Sequence, residues 1–334
     1  MALIELSAGE AFSCAEDDTI LRAGLRAGFG MPYECNTGNC GTCKVELVSG
    51  TVDSAWPEAP GLAERDRAKN RVLACQSRPA SDCAIKVRLR PENVPAHRPA
   101  RFRATLEATH DLTHDLREFR FKVQGAPGFL PGQYALFTLP GVTGFRTYSM
   151  SNVDEGDSVW AFMVKRMPEG VGTAALFDKV PVGRTIDLDG PYGLAYLRAQ
   201  SPRELLCIAG GSGLAPILSI VRGAVREPAL AGRQMHVFYG ARTARDICGR
   251  AELAALPGFG TRIHFQPVVS NPEAGDGWSG PTGFVHDHVR AIFGERFAEF
   301  ECYFAGPPPM ADAVQRMFID KRVPYPQVHF DSFY

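Results

Sequence analysis

Cys35-Asn36-Thr37-Gly38-Asn39-Cys40-Gly41-Thr42-Cys43 places three thiols at C-x4-C-x2-C spacing, and Cys75 follows 32 residues after the third. This is the ligand spacing of a plant-type [2Fe–2S] cluster, with Cys35, Cys40, Cys43 and Cys75 as the four thiolates. Gly38 and Gly41 let the loop turn tightly enough to bring three sulfurs to one centre while backbone N–H groups face them. A structural zinc site is the competing reading. It asks for paired short spacings, and Cys75 has no Cys or His two to five residues away. A cluster of this kind moves single electrons and does no substrate chemistry, so the rest of the chain must hold the electron's source.

Around the cysteine loop, residues 1 to about 91 read as a small α+β unit. Asp18 to Arg26 is a capped short helix closing at Gly28 or Gly30, and Lys44–Val48 and Ala84–Leu89 are strands. Pro91 to Pro99 holds three prolines in nine residues without periodicity, which predicts a semi-rigid extended linker over 92–100. From Arg101 to about residue 198, strand follows strand: 102–107, 116–123, 134–139, 147–151, 158–165 and 184–188. Pro-Gly and Asp-Gly turns between them predict an antiparallel β-barrel. From 199 to 334, apolar strands at 205–209, 235–239, 262–269 and 302–305 alternate with helical stretches at 216–226, 247–256, 285–293 and 311–319. That alternation predicts an α/β domain with a parallel sheet and helices on both faces.

The 334 residues suffice for two or three domains, and a composition of 45% hydrophobic and 22% charged residues describes ordinary folded cores. A net charge of −1 gives no general attraction to nucleic acid or to an anionic membrane surface. No apolar run is long enough to span a bilayer and no secretory leader is recognisable, so a cytoplasmic location is expected. Nine cysteines then favour metal use over disulfides. The five outside the motif, Cys14, Cys83, Cys207, Cys248 and Cys302, are expected as buried thiols.

Three further segments carry chemistry. Arg146-Thr147-Tyr148-Ser149 offers a guanidinium for a phosphate, a ring to lie against an isoalloxazine and a hydroxyl near its reactive nitrogen. Val164 and Lys165 lead into a turn at Gly170-Val171-Gly172-Thr173, where a helix begins and a pyrophosphate could be received. Leu206 to Pro216 is a strand, a Gly210-Gly211-Ser212-Gly213 turn and a helix with proline in its first turn. It matches G-G-x-G-x-x-P rather than the G-x-G-x-x-G fingerprint. Tyr239-Gly240-Ala241-Arg242 and Gly306-Pro307-Pro308-Pro309-Met310 end later strands, where open α/β sheets bind ligands.

In this order the motifs resemble the ferredoxin–NADP reductase superfamily, and in particular the reductase components of bacterial multicomponent aromatic-ring oxygenases. Residues 56–62, 69–76 and 329–334 look most like the toluene monooxygenase type. The resemblance implies a multidomain chain: a β-grasp, ferredoxin-like [2Fe–2S] domain, an FAD-binding barrel and an NAD-binding α/β domain. It implies FAD held by Arg146, Tyr148, Ser149, Val164, Lys165, Gly172 and Thr173, with Ser149 near the reactive edge and Phe333 as the candidate to cover the flavin face that nicotinamide must reach, Tyr334 being less defined. It implies NADH, rather than NADPH, on Gly210, Gly211, Gly213, Pro216, Tyr239, Gly240, Arg242, Gly306, Pro307 and Met310. Arg242 and Arg245 could receive a 2′-phosphate, but Asp246 beside them would repel it.

The implied function is an NADH-dependent reductase that sends single electrons through the cluster to a Rieske-type ferredoxin or an oxygenase component of an aromatic hydroxylating system. Alternatives are the reductase of a Rieske ring-hydroxylating dioxygenase and a redox sensor or electron-transfer subunit without nucleotide turnover. One departure stands out: relatives carry Cys-Gly-Pro-Pro where this chain has Ala305-Gly306-Pro307-Pro308. Either hydride transfer is slower here, or Cys302 marks a shifted alignment; the Gly-Pro-Pro register favours the first.

Overall fold

The computed structural model describes all residues except Ala8, Phe333 and Tyr334, together with all side chains but that of Ser332. The first unit is a sheet of order β2-β1-β7-β3-β5. Its strands are β1 (Ala2–Leu6), β2 (Ala11–Cys14), β3 (Lys44–Ser49), β5 (Arg71–Leu73) and β7 (Cys83–Lys86); β4 (Val52–Ser54) and β6 (Ser77–Pro79) pair separately. Helix α1 (Ile20–Arg26) begins where Thr19 Oγ1 accepts from Arg22 N at 3.4 Å, and a one-turn helix α2 (Glu64–Arg67) precedes β5. Strand β7 stops at Lys86, three residues short of the sequence expectation, where its pairing with β3 ends at Glu46.

The segment expected as an extended linker is docked instead. Pro91–Asn93 forms a 3-10 turn, Arg90 N donates to Gly30 O at 2.8 Å, and the buried Asn93 amide donates to Met31 O at 3.0 Å. Proline limits φ but does not stop the flanking polar groups from finding partners, and here these tie the segment to the first unit.

The middle unit is a six-stranded antiparallel sheet of order β11-β10-β13-β8-β9-β12. It comprises β8 (Ala100–Asp111), β9 (Leu116–Lys122), β10 (Tyr134–Thr138), β11 (Arg146–Ser149), β12 (Val159–Lys165) and β13 (Thr185–Tyr192), with α3 (Val171–Lys179) after β12. A bridge between Met150 and Phe162 joins the two edges and closes the barrel around Phe119, Phe121, Phe137 and Phe162.

The last unit is a parallel sheet of order β16-β15-β14-β17-β18. Its strands are β14 (Glu204–Gly210), β15 (Met235–Ala241), β16 (Ile263–Val269), β17 (Phe300–Gly306) and β18 (Val328–Ser332). Helices α4 (Leu214–Arg226) and α5 (Arg250–Ala254) share a core with Leu205, Cys207 and Ala209; α6 (Val285–Phe293) and α7 (Pro308–Asp320) share one with Leu206 and Ile208. Alternate residues of β14 thus bury both faces of the sheet. Strand order reverses beside β14, so the Gly210–Gly213 turn lies at the topological switch point. Helix α5 is shorter than expected, and β18, with polar His329 and Asp331 interrupting its apolar residues, was not legible as a strand.

Candidate functional site

The cysteine loop is built by close backbone approach. Gly41 has φ +74°, and a Cβ there would lie 2.5 Å from Gly61 O; Gly61 N in turn donates to Gly38 O at 3.0 Å. Thr37 N and Cys40 N each point at Cys35 Sγ at 3.4 Å, and Thr42 N points at Cys40 Sγ at 3.5 Å. The four sulfurs fall into two pairs. Contact with the Cys40 thiol pulls Cys35 down to about 5, and contact with the Cys43 thiol holds Cys75 below its ordinary value. Two pairs of thiols, the first of them faced by backbone N–H donors, fit a two-iron cluster. The other five cysteines are buried and unpaired.

The expected flavin strand, β11, stands beside β10 with Ser149 opposite Tyr134. Tyr148 packs edge-on against Phe137, 4.9 Å between centroids, and burial pushes its phenol up to about 12. Ser149 is buried, and neither its hydroxyl nor that of Tyr148 is hydrogen-bonded to protein among the described residues. Arg146 lies across the start of α3, where a Cβ on Gly172 would meet its Cγ at 2.8 Å. Helix α3 begins at Gly170 without a side-chain cap, leaving N–H groups of its first turn for an anion.

Thr173 differs from expectation. Its hydroxyl donates to Gly170 O at 3.0 Å and accepts from Met167 N at 3.2 Å, so it shapes the turn and leaves only its backbone N–H for a phosphate. Val164 is equally indirect, since its side chain sits in the barrel core.

Two turns of the last unit pack on each other. Met310 Sδ and Cε fill the space beside Gly210 and Gly306, and Pro307 caps α7. A Cβ on Gly213 would lie 2.0 Å from Ala305 O. Tyr239 is 1% exposed; its hydroxyl reaches Gly211 O at 3.4 Å and Asp246 O at 3.3 Å, so it positions the glycine turn rather than presenting a face. Pro216 is buried in the first turn of α4, Gly240 lies under Val285, and Arg242 is exposed at the end of β15. Cys302 and Ala305 are an odd number of residues apart on β17 and so face opposite sides; Ala305 pairs with Ala209 in unbroken register. Cys302 is a core thiol. Phe333 and Tyr334 lie outside the described residues.

Residues that the sequence reading missed join the units. Arg26 of α1 makes a two-pronged ion pair with Asp189 of β13, at 2.9 and 2.7 Å, and also meets Asp18 and the Tyr192 hydroxyl. Tyr134 donates to Glu34 O at 2.7 Å, and Gly193 N donates to the Tyr33 hydroxyl at 3.0 Å, so both neighbours of the cysteine loop rest on the barrel. Across the second seam, Lys165 lies 2.9 Å from Asp115 and 4.0 Å from Asp246, whose other oxygen accepts from Thr243 N and Oγ1. Burial works against that charge, but Thr243 and Lys165 hold the Asp246 carboxyl below its ordinary range.

Asp189 is only 5% exposed at its side chain. An Arg26→Ala variant therefore leaves a buried carboxylate without its main partner, at a cost of about 3 kcal/mol or more. The expected result is a lower unfolding midpoint and faster proteolysis between residues 87 and 99. An unchanged midpoint would show that the pair does not hold the first unit in place.

Asp331 of β18 faces Glu34 where the three units meet. Its Oδ2 is buried without a partner among the described residues, and burial, followed by the charge of Glu34, pushes its carboxyl up to about 7. Between about pH 4 and 7 the folded chain binds this proton more tightly than the unfolded chain, so this group's contribution to stability falls as pH rises through that window. Asp331→Asn is expected to raise the melting temperature at pH 8 and change it little at pH 4, as measured by calorimetry; equal effects at both pH values would count against the assignment.

Comparison with known proteins matches this layout. Residues 4–80 match the 2Fe-2S iron-sulfur cluster binding domain, 103–196 the oxidoreductase FAD-binding domain and 207–316 the oxidoreductase NAD-binding domain. The chain belongs to the family of ferredoxin–NAD(P)+ reductases that serve as reductase components of oxygenase systems, and it is an electron-transferring oxidoreductase. It is 41% identical over 327 residues to ferredoxin–NAD(P)(+) reductase CarAd of Metapseudomonas resinovorans, covering 96% of each chain. It is 40% identical over 345 residues to the ferredoxin–NAD(+) reductase component of the alkene monooxygenase system of Xanthobacter autotrophicus, covering 99% of this chain and 100% of that one. The solved structure of the ferredoxin reductase in carbazole 1,9a-dioxygenase superposes with a TM-score of 0.91 at 38% identity, over 100% of this chain and 98% of the other. Among the described residues no helix is long and apolar enough to cross a membrane.

Proposed function

We propose that the chain takes electrons from NADH, in preference to NADPH, and delivers them singly to a Rieske-type ferredoxin or oxygenase component of a system that hydroxylates aromatic or alkene hydrocarbons, the toluene monooxygenase type foremost, in the cytoplasm. The observation that carries this reading is the meeting of the cysteine loop, the Arg146–Ser149 strand and the paired glycine turns in one assembly, tied by Arg26 to Asp189 and by Lys165 to Asp246. FAD, when bound, supplies the change from two-electron to one-electron transfer.

The chain's own residues do the rest. Arg146 and the first turn of α3 bind phosphate, Tyr148 lies against the flavin ring, and Ser149 offers its hydroxyl at the reactive edge. The backbone at Gly210–Gly213, with Gly306 and Met310 closing the opposite side, binds the nucleotide, while Cys35, Cys40, Cys43 and Cys75 ligate the cluster.

The preference for NADH rests on Asp246. Its carboxylate is held in place by Thr243 beside Arg242 and Arg245, where it opposes a 2′-phosphate. Comparing kcat/KM for the two nucleotides tests this, and a ratio of at least about tenfold in favour of NADH is expected, worth about 1.4 kcal/mol. A ratio near one, or reversed, would remove Asp246 from this role. An anaerobic optical spectrum before and after NADH tests the wider reading, which requires bleaching of both flavin and cluster bands.

A further inference from the structure

Arg22, the third residue of α1, is 3% exposed. Its Nη2 donates to the carbonyl of Cys75 at 3.5 Å, and its guanidinium carbon stands 4.3 Å from the centre of the Phe145 ring, immediately before the Arg146–Ser149 strand. Its Nε is buried with no partner among the described residues. The neighbouring Arg26 has Asp18 and Asp189, and Arg203 has Glu301, whereas no carboxylate lies within ion-pair distance of Arg22 among the described residues.

A buried cation without an anion is one of the least favourable arrangements in a folded protein. The face of Phe145 offsets part of that penalty. Opposite charge must supply the remainder, and the anionic centre beside Arg22 is the sulfur set of which Cys75 is a member. Four thiolates and two sulfides outweigh the charge of two ferric irons, and one added electron increases the excess. A fixed positive charge at Cys75 therefore favours the reduced cluster over the oxidised one.

We propose that Arg22 is a positioning residue whose permanent charge, acting through Cys75, raises the electron affinity of the cluster and draws electrons from the flavin side of the junction. The step it biases adds one electron, originating from the nicotinamide nucleotide, and breaks or forms no bond. The inference rests on the reading of Cys35, Cys40, Cys43 and Cys75 as cluster ligands given above. At an effective dielectric of about 20 and a separation on the order of 10 Å, one unit charge changes an electron-binding constant roughly tenfold. For a one-electron couple that is about 59 mV.

The test is the cluster's midpoint potential in the holoenzyme, followed by electron paramagnetic resonance during a mediated reductive titration. Arg22→Gln and Arg22→Met are expected to lower it by about 59 mV, Arg22→Lys to leave it near the native value, and the flavin potential to stay unchanged in all three. An unchanged potential in a neutral variant that retains its cluster overturns the proposal and leaves Arg22 a packing residue. Loss of the cluster in both neutral variants but not in the lysine variant supports it, because charge alone then separates them; loss in all three overturns it. The native protein provides the separate control. If it shows no reducible cluster signal, the ligand assignment itself has failed, independently of Arg22.

Discussion

Replacing Cys40 with serine is expected to leave NADH-driven reduction of ferricyanide intact while delivery of electrons to a one-electron protein acceptor falls by about a hundredfold or more. Cys40 belongs to the loop of the first unit and shares no contact with the nucleotide turn, where Gly210 and Gly213 pack on Ala305, Gly306 and Met310. Even outer contacts to metal ligands are worth roughly 10- to 100-fold, so loss of a ligand sets that figure as a floor. Steady-state assays with ferricyanide and with a purified ferredoxin, run on the same preparation, separate the two activities. Equal loss of both would mean that the order of carriers is wrong, or that the first unit is needed to hold the barrel together.

The second large effect falls on Gly213. A Cβ there would lie 2.0 Å from Ala305 O, 2.4 Å from Ala305 C and 2.8 Å from Gly306 N, all of them backbone atoms that cannot rotate away. Overpacking of this kind typically costs about 1–3 kcal/mol, and the strain falls on the joint between the two turns. Gly213→Ala is therefore expected to raise the KM for NADH at least about tenfold while the absorption of flavin and cluster stays native. Gly232→Ala, which meets nothing within 4 Å, is the matched control. A KM within twofold of native would show that the turn tolerates opening and that the nucleotide is held elsewhere.

Much of the architecture was legible in the sequence because it depends on short-range rules. Apolar alternation marked the barrel strands from Leu116 to Lys165, and strand-turn-helix texture marked β14 and α4. The same rules misjudged the segment after Pro91, where proline content suggested an independent spacer and Asn93 is in fact hydrogen-bonded to Met31. They also placed Thr173, Val164 and Tyr239 among the cofactor-binding residues. Each is turned inward, since a hydroxyl or ring near a glycine turn can serve the turn as readily as a ligand. Strand β18 escaped notice because the polar residues His329 and Asp331 hide its alternation, although Asp331 sits where the three units converge.

The cysteine spacing, the R-x-Y-S segment and the two glycine turns are local patterns, and the sequence by itself determined from them which cofactors this chain is built to hold and in what order. Tertiary structure alone decided how they are joined. Arg26 and Asp189 stand 163 residues apart, and Arg22 meets a ring from another unit; no periodicity records such pairs. Charge pairing and burial across a seam depend on distances set only when separate cores dock. In this protein those distances place a bare guanidinium beside the fourth cysteine.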